Sequence, residues 1–254
     1  MWAKDRHHRI LALLTVRGQI SNDLLMKELE VSRETIRRDI QDLESAGLLK
    51  RVHGGVVAAP AEQEPPFKAR MRASEAEKRR IGMAAAALIE PGMLCAIDTG
   101  TTTLAFAAAL SSIPDVSVVT NSLDVATTIR AAQANATVIL LGGRIGNDVP
   151  GTFGELAIAQ MEQFRPDVAI LSPVAIDAEH GATSYDLAEA QLGRVMIDRA
   201  ECVMILADYS KLGKTSRVGL CGCDQVDVLV TDRRADQGHL SAIRKKHVGK
   251  IVAA

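Results

Sequence analysis

The sequence has few aromatic residues, few cysteines and almost no net charge. Aromatics account for 3% of its 254 residues and hydrophobic residues for 47%, so aliphatic side chains and alanine must form its core. The formal net charge of −1 gives no sign of a nucleic-acid-binding protein. Residues 1–57 carry ten Lys or Arg and eight Asp or Glu, a balance of +2. This small asymmetry does not by itself identify a partner.

The four cysteines do not form a recognisable metal or disulfide pattern. Cys95 and Cys202 lie in apolar runs, as expected of small buried side chains. Cys221 and Cys223 are close in sequence, but no second cysteine or histidine cluster completes a set of four metal ligands. No signal peptide precedes the first helical pattern, and no apolar run reaches the roughly 18 residues that span a membrane. We therefore expect a cytoplasmic protein with reduced thiols, no membrane association and no cofactor.

Residues 31–43 have the pattern of a short amphipathic helix. Ser32 is a suitable N-cap, because its hydroxyl can accept a hydrogen bond from an amide of the first turn. Ile36, Ile40 and Leu43 fall on one face. The opposite face carries Glu34, Arg37, Arg38 and Gln41. Taken alone, such a face is most simply a solvated surface with scattered ion pairs.

The neighbouring segments favour DNA binding instead. An apolar stripe at helical spacing covers residues 6–16, and Ser21 can cap a second helix that leads directly into the one at Ser32. This order is typical of a helix-turn-helix, whose second helix enters the major groove. Gly54 and Gly55 separate two short β-prone runs and predict a hairpin, which would be a wing.

The predicted DNA contacts lie on the second helix and on the wing. They are Ser32, Arg33, Thr35, Arg37, Arg38, Gln41, Arg51 and His53. The wing residues would meet phosphate or the minor groove and add affinity rather than sequence choice. The alternative for Lys50 and Arg51 is a solubilising surface pair.

A change of composition separates this region from the rest of the chain. The segment 58–66 contains three prolines, and the predicted domains are a DNA-binding domain at 1–57, a linker at 58–75 and an effector domain at 76–254. Residues 67–80 are rich in Lys and Arg. DNA contact by this run is one interpretation, and a solvated helix face or an interdomain contact is the simpler one.

From residue 93 onward, short apolar runs alternate with helical stretches. This alternation predicts an α/β domain with a mainly parallel sheet covered on both faces. The predicted strands are Leu94–Ile97, Val116–Val119, Thr137–Leu141, Val168–Leu171, Cys202–Ala207, Val226–Val230 and Lys250–Val252. The predicted helices are Thr101–Leu110, Leu123–Ala132, Gly154–Phe164, Leu187–Ala200 and Gln237–Lys246.

Ligands of such sheets bind beyond the C-terminal ends of the strands. The loop from Asp98 to Thr103 combines a glycine with threonine hydroxyls and the free amides of a helix start, which suits an anion. It lacks the lysine of a nucleotide-triphosphate loop, so a phosphate monoester fits better. The alternative is a polar N-cap cluster without a ligand. The predicted ligand-binding residues are Asp98, Gly100, Thr101, Thr102, Thr103, Thr120, Asn121, Gly142, Gly143, Asp186, Glu189 and Lys211.

Four of these residues are predicted to bind the ligand because of their charge or their carboxylate oxygens. Lys211 would supply the positive charge that the threonine loop lacks, or it is simply a solvent-exposed lysine. Asp98, Asp186 and Glu189 could accept hydrogen bonds from sugar hydroxyls. Asp186 and Glu189 stand at a helix start, so compensation of the helix dipole explains them equally well.

Runs of residues along the whole chain resemble the DeoR family of bacterial transcriptional regulators. The N-terminal runs are Thr35-Ile36-Arg37-Arg38-Asp39, Gly47-Leu48-Leu49 and Arg51-Val52-His53-Gly54-Gly55. The later ones include Asp98-Thr99-Gly100-Thr101-Thr102, Val119-Thr120-Asn121, Gly142-Gly143 and Asp208-Tyr209-Ser210-Lys211-Leu212-Gly213. The segments 164–167 and 185–189 are most similar to the branch of glycerol-3-phosphate repressors. Thr99 stands where the family often has serine, and residues 172–176 lack the glycines usual after that strand.

The resemblance implies a winged helix-turn-helix that binds operator DNA, usually as a repressor. It also implies an effector domain similar to ribose-phosphate isomerases and glucosamine-phosphate deaminases, which senses a phosphorylated sugar or polyol. In such a regulator the ligand would change the arrangement of a homo-oligomer, a dimer or a tetramer, and so the spacing of its DNA-binding domains.

Two other functions remain open from the residues. One is a sugar-phosphate isomerase or deaminase with an attached winged helix, which would need a general base beside the phosphate. Asp98 or Asp186 could serve, but no acid–base pair stands out, so we expect no enzyme. The other is a binding module whose winged helix contacts a protein.

Overall fold

The computed structural model describes residues 6–7, 9–11, 13–14, 18–45, 49–52, 54–58, 64–132 and 136–254. These residues belong to two compact units, Met1–Gln63 and Glu64–Ala254.

The first unit is a winged helix-turn-helix. Its described residues between 6 and 14 are helical (α1). The later elements are β1 (Gln19–Ser21), α2 (Asn22–Leu29), α3 (Arg33–Ser45), β2 (Leu49–Val52) and β3 (Gly55–Ala58). Aliphatic residues of all these elements form one buried cluster, to which α3 contributes Ile36, Ile40 and Leu43. The predicted helix-turn-helix and hairpin are confirmed.

Three antiparallel strands in the order β1-β3-β2 build the wing. The sequence analysis missed β1, because three residues are too few to show an alternating pattern. Gly54 has a φ of 78°, which favours glycine at the turn. A Cβ at Gly55 would lie 2.3 Å from the carbonyl oxygen of Ile20, so only glycine permits β3 to pair this closely with β1.

The second half of the predicted linker is folded. Helix α4 (Phe67–Arg72) lies inside the range 58–75, and α5 (Glu75–Ala86) begins at its end. The Phe67 side chain is buried in the core of the second unit. A six-residue helix is too short to show a clear apolar period, and the second compact unit begins at Glu64, before α4.

A seven-stranded parallel sheet forms the centre of the second unit, in the order β15-β14-β12-β9-β4-β5-β6. Its strands are β4 (Leu94–Ile97), β5 (Ser117–Thr120), β6 (Thr137–Leu140), β9 (Val168–Leu171), β12 (Cys202–Leu206), β14 (Val228–Thr231) and β15 (Lys250–Ala253). The other helices are α6 (Thr101–Leu110), α7 (Leu123–Ala132), α8 (Glu155–Met161), α9 (Leu187–Arg199) and α10 (Gln237–Arg244). The predicted α/β class and all seven predicted strands are confirmed, with bounds that differ by a residue or two.

Two buried clusters cover the two faces of this sheet. Alternate residues of one strand belong to different clusters: Ala169 and Leu171 to one, Val168 and Ile170 to the other. Helices α8, α9 and α10 pack on the first face and α5, α6 and α7 on the second. Burial on both faces explains why these strands read as continuous apolar runs.

Smaller strands beside the main sheet were not predicted. Strands β10 (Ala175–Asp177), β11 (Gly181–Ser184) and β13 (Val218–Cys221) form an antiparallel sheet in the order β10-β11-β13. Strands β7 (Arg144–Ile145) and β8 (Thr152–Phe153) form a hairpin. These strands are short and β11 is built from small residues, so neither an apolar run nor an alternation marks them.

Candidate DNA-binding surface and ligand pocket

Helix α3 presents its polar face to solvent because its apolar face is anchored. The Ser32 hydroxyl accepts a hydrogen bond from the Thr35 amide at 3.3 Å, as predicted for the N-cap. Ile36, Ile40 and Leu43 are buried. The predicted contact residues Ser32, Arg33, Arg37, Arg38 and Gln41 are all exposed, and Thr35 is half-buried.

The two adjacent arginines of this face share one carboxylate. Glu34 accepts hydrogen bonds from Arg37 Nη2 at 2.8 Å and Nε at 2.9 Å, and from Arg38 Nε at 3.2 Å. These bonds, that of Arg37 first, lower the pKa of Glu34 to about 2. Glu34 therefore holds both guanidinium groups in fixed positions, and a DNA base or phosphate must compete with it for them.

A groove of about 390 Å³ separates α3 from the wing. Its walls are Asn22, Arg33, Glu34, Ile36, Arg37, Ile40, Arg51, Val52 and Gly55. Arg51 projects from β2, where its Nε lies 2.8 Å from Glu44 Oε2. The structure thus brings Arg33 and Arg37, two of the predicted helix contacts, to one groove with Arg51. His53 lies outside the described residues.

A buried ion pair inside this unit was missed by the sequence analysis. Asp39 is 2% exposed and accepts hydrogen bonds from Arg6 at 2.7 and 2.8 Å. His7 Nε2 lies 3.1 Å from the same carboxylate. Because Asp39 stands three residues after Ile36 and four before Leu43, helical periodicity already places it on the inner face of α3. That acid on an apolar face was the available signal.

The second unit has a narrow polar cavity at the C-terminal ends of the central strands. Its free volume is about 30 Å³, which is room for about two water molecules. The lining residues are Glu64, Arg70, Asp98, Thr99, Asn121, Phe153, Leu171, Ser172, Pro173, Val174, Ser184, Glu189, Leu192, Gly193, Met196 and Leu220. The site therefore lies where ligands of parallel sheets bind.

Buried polar atoms from two strand ends meet at this cavity without hydrogen-bond partners. Within the part of the chain that the structure describes, Asp98 Oδ1, Thr99 Oγ1 and Asn121 Oδ1 have none. The other carboxylate oxygen of Asp98 accepts a hydrogen bond from the Ser172 amide at 3.1 Å. Unsatisfied buried polar atoms are costly, so a polar ligand that bonds to them would be stabilised here.

Two carboxyl groups of the cavity have strongly raised pKa values. Burial raises the pKa of Asp98 to about 7 and that of Glu189 to about 8, and the nearby Glu64 carboxylate adds to both. Glu189 accepts a weak hydrogen bond from the Ser184 hydroxyl at 3.4 Å. At neutral pH these groups are close to their titration points and can exchange hydrogen bonds with hydroxyl groups in either direction.

Cationic groups also border the cavity. Arg70 Nη1 lies 2.6 Å from Glu64 Oε1, and Lys211 Nζ lies 3.9 Å from the same oxygen. Burial lowers the pKa of Lys211. Lys78 is buried nearby and donates hydrogen bonds to the carbonyl groups of Arg70 and Ala73 at the end of α4. Acidic and cationic groups thus meet at one cavity.

Several predicted ligand residues do not line this cavity. Asp186 is exposed and caps α9 by accepting from the amides of Ala188 and Glu189 at 2.8 and 3.1 Å. Gly142 and Gly143 lie by the β7–β8 hairpin, where a Cβ at Gly143 would meet the Phe153 carbonyl oxygen at 2.6 Å. For these three residues the structure shows a cap or a close backbone approach.

The threonines of the predicted anion loop are buried and mainly support the loop. Thr103 Oγ1 donates to the carbonyl groups of Asp98 and Gly100 at 3.0 Å. Thr120 Oγ1 donates to the Ile97 carbonyl at 2.6 Å. Gly100 caps α6, and Thr101 and Thr102 form the buried start of that helix. The predicted residues at the cavity itself are Asp98, Asn121 and Glu189, with Lys211 beside Glu64.

Sequence reasoning missed the part of the site that comes from the start of the second unit. Glu64 and Arg70 were assigned to the linker, and Ser172 and Ser184 received no role. The basic run 67–80 could have indicated Arg70, since a cluster of positive side chains next to a predicted ligand-binding domain favours contact with an anion.

Stability of the second unit should fall as pH rises from 5 to 8. Asp98 and Glu189 have folded pKa values above the usual 3.8 and 4.5, so the folded state binds more protons than the unfolded state in this window. We expect a loss of about 2 kcal/mol, after relaxation of the site on ionisation.

Thermal melting at pH 5 and pH 8 measures this effect. Glu189→Gln should reduce the difference, whereas Glu162→Gln, an exposed residue at the end of α8, should leave it unchanged. Equal pH dependence in wild type and Glu189→Gln would contradict the assignment.

A winged helix with a polar recognition face, followed by a separate sheet unit, is the architecture of a DNA-binding regulator. The sequence matches the DeoR-like helix-turn-helix domain over residues 6–61 and the DeoR C terminal sensor domain over residues 73–233. The chain belongs to the DeoR family, and the predicted family is confirmed.

Similar proteins share almost the full length. The chain is 31% identical to the glycerol-3-phosphate regulon repressor of Escherichia coli (strain K12), over 96% of each chain. It is also 31% identical to the HTH-type transcriptional repressor GlcR of Bacillus subtilis (strain 168), over 99% of this chain and 97% of the relative. A ribose 5-phosphate isomerase of Methanocaldococcus jannaschii matches 55% of each chain at 14% identity and a TM-score of 0.41.

Neither a metal-binding cluster nor a membrane-spanning helix is present among the described residues. Within those residues, no group of three or more His, Cys, Asp or Glu side chains could hold a metal ion. Over the same part of the chain, no helix is long and apolar enough to cross a membrane.

Proposed function

We propose that the chain is a repressor whose binding to operator DNA is controlled by a phosphorylated sugar or polyol. The observation that carries this proposal is the cavity at the strand ends, where Asp98 and Glu189 lie in one lining with Arg70, and Lys211 stands beside it. A ligand with one anionic and several hydroxyl groups matches this combination of groups. The protein would act as a homo-oligomer, a dimer or a tetramer, so that two DNA-binding units meet two half-sites.

The cationic groups and the carboxyl and amide groups of the cavity have separate roles in this proposal. Guanidinium and ammonium groups bind phosphate oxygens with charge-assisted hydrogen bonds. Carboxyl and amide oxygens of Asp98, Glu189 and Asn121 bind hydroxyl groups. The Escherichia coli relative is named for glycerol 3-phosphate, a small phosphorylated polyol, which makes this compound the first to test.

We propose binding without turnover at this site. An isomerase or deaminase with an attached winged helix would need a positioned base beside the substrate. The raised pKa values of Asp98 and Glu189 are compatible with such a base, so the alternative is testable. Turnover assays with pentose phosphates and hexosamine phosphates decide it, and product formation above background would reject the repressor as the sole function.

A gel-shift experiment with DNA from upstream of the protein's own gene tests the proposed function. Specific binding should persist at a salt concentration that removes binding to unrelated DNA. Adding phosphorylated sugars and polyols one at a time should change the shift for one of them. Equal affinity for upstream and unrelated DNA at both salt concentrations would favour a winged helix that contacts protein instead.

Arg37→Ala should weaken specific DNA binding by about 1–3 kcal/mol, since a bidentate contact of arginine with guanine is worth that much. The matched variant Arg37→Lys distinguishes the kind of contact. A lysine substitutes for arginine at a phosphate but not at the paired acceptors of guanine. The double variant Arg37→Ala, Glu34→Ala also removes the carboxylate that Arg37 pairs with. If either folded variant binds specific DNA as tightly as wild type, the assignment of Arg37 to a base contact is refuted.

A further inference from the structure

We infer that the Glu64 carboxylate occupies the place of the ligand's phosphate, and that a phosphate bound to Arg70 and Lys211 displaces the segment 64–66. This inference rests on the proposed function, since it specifies how the same pocket takes its ligand. It assigns a phosphate subsite to Arg70 and gives Glu64 the role of an internal competitor.

The charges around Glu64 are those of an anion site. Its carboxylate lies 2.6 Å from Arg70 and 3.9 Å from Lys211, and its side chain is only 11% exposed. A carboxylate with two cationic partners in a shielded position occupies the arrangement that a phosphate would require. A phosphate has more charge and more acceptor oxygens than a carboxylate, so it can replace Glu64 with a gain in bonds.

The volume of the cavity shows that something must move. The free volume of about 30 Å³ holds about two water molecules, so a sugar phosphate needs more room than the closed site offers. The inner walls are strand ends and α9, which belong to the buried core. Glu64 and Arg70 are the lining residues that come from the start of the unit, outside the sheet and its packed helices. Removal of Glu64 is therefore the smallest change that opens the site.

Arg70 is placed to hold a phosphate after Glu64 leaves. Its guanidinium lies over the Phe67 ring at 5.4 Å, and Phe67 is buried in the core. Lys78 secures the end of α4 through the carbonyl groups of Arg70 and Ala73. These contacts do not involve Glu64. The anchored part of the segment thus begins at Phe67, and the part before it can change position.

Arg70 also connects the ligand site to the chain that leads to the DNA-binding unit. Its Nε donates to the Pro65 carbonyl at 2.9 Å while its Nη1 binds Glu64. A phosphate that takes this guanidinium competes with both bonds. Ala58, the last residue of the wing, is joined covalently to Glu64 through residues 59–63. Ligand binding would therefore alter the constraint on the start of the second unit.

Calorimetric titration of the full chain with glycerol 3-phosphate, inorganic phosphate and glycerol tests this inference. If the open form is roughly 10% of the population, Glu64→Gln should bind the two phosphate compounds about tenfold more tightly than wild type. Glycerol, which has no anion, should gain nothing. Arg70→Gln should lose most of the phosphate affinity. Glu90→Gln is the matched control, because Glu90 is exposed and precedes β4, at the N-terminal ends of the strands and not at the C-terminal ends where the cavity lies.

The possible results separate this inference from the proposed function. Tighter phosphate binding by Glu64→Gln, with no change in Glu90→Gln, supports it. Equal or weaker phosphate binding by Glu64→Gln, while wild type binds a phosphate compound, overturns the inference and leaves the proposed function intact. No binding of either phosphate compound to wild type or to Glu64→Gln overturns both.

Operator binding gives a second readout that does not depend on the direction of regulation. Without ligand, Glu64→Gln should have the operator affinity of ligand-saturated wild type, whether that is higher or lower than that of free wild type. An affinity equal to that of ligand-free wild type would overturn the coupling of Glu64 to the DNA-binding unit.

Discussion

Asp39→Ala should lower the free energy of unfolding of the DNA-binding unit by about 3–5 kcal/mol. The substitution removes a carboxylate that is 2% exposed, together with its two hydrogen bonds to Arg6, whose side chain is 14% exposed. His7 loses its contact with the same oxygen. Hydrogen bonds between charged groups in a shielded position stabilise more than bonds between neutral groups, so their loss is costly.

Asp42→Ala is the matched control for this substitution. Asp42 lies on the same helix one turn later and is exposed, so its removal should change stability by less than about 0.5 kcal/mol. Urea unfolding of both variants, followed by a signal from the DNA-binding unit, gives the comparison. Equal stability of the two variants would show that the Arg6–Asp39 pair does not stabilise the unit.

Lys211→Ala should abolish the thermal stabilisation that the effector produces. A ligand at 100 times its dissociation constant stabilises a folded protein by about 2.7 kcal/mol, and loss of the charge that binds its phosphate removes this gain. Each variant is melted with and without glycerol 3-phosphate or the compound that a melting screen identifies. The difference within one variant is compared, so a change in the stability of the free protein does not interfere.

Lys214→Ala provides the control on the same loop. Lys214 is exposed three residues after Lys211, and its removal should preserve the effector's thermal shift. An undiminished shift in Lys211→Ala would remove Lys211 from the binding site. Loss of the shift in both variants would indicate a general effect of positive charge at this loop.

The elements that could be predicted from the sequence are those with a local signature. Strand β9 is a run of four apolar residues with both faces buried, and α3 has a cap and a clear apolar period. Hydrophobic burial depends on such patterns directly, so the parallel sheet and the recognition helix were correctly predicted. Strands β10 and β11 have no such signature, because three or four residues are too few to show an alternating pattern. Helix α4 has none because its six residues make less than two helical turns.

The ligand site could be predicted only in part for a related reason. Asp98 and Asn121 follow strands of a parallel sheet, and the rule that such ends converge is sufficient to place them. Asp186 was predicted as an acid at a helix start, and its side chain caps α9 because two free amides lie within hydrogen-bond distance. Whether a polar side chain caps a helix or reaches the ligand site depends on the position and direction of that helix in the folded unit.

The sequence by itself determined the family, the winged helix with its polar face, and the seven strands of the sheet, of which β4, β5 and β9 end at the pocket. These follow from periodicity, caps and motifs, which act over a few residues at a time. Only the tertiary structure decided that Asp39 is paired with Arg6 across 33 positions and that Glu64 lies between Arg70 and Lys211. Electrostatic contacts depend on distance and burial in three dimensions, so residues far apart in the chain become partners only when the core brings them together.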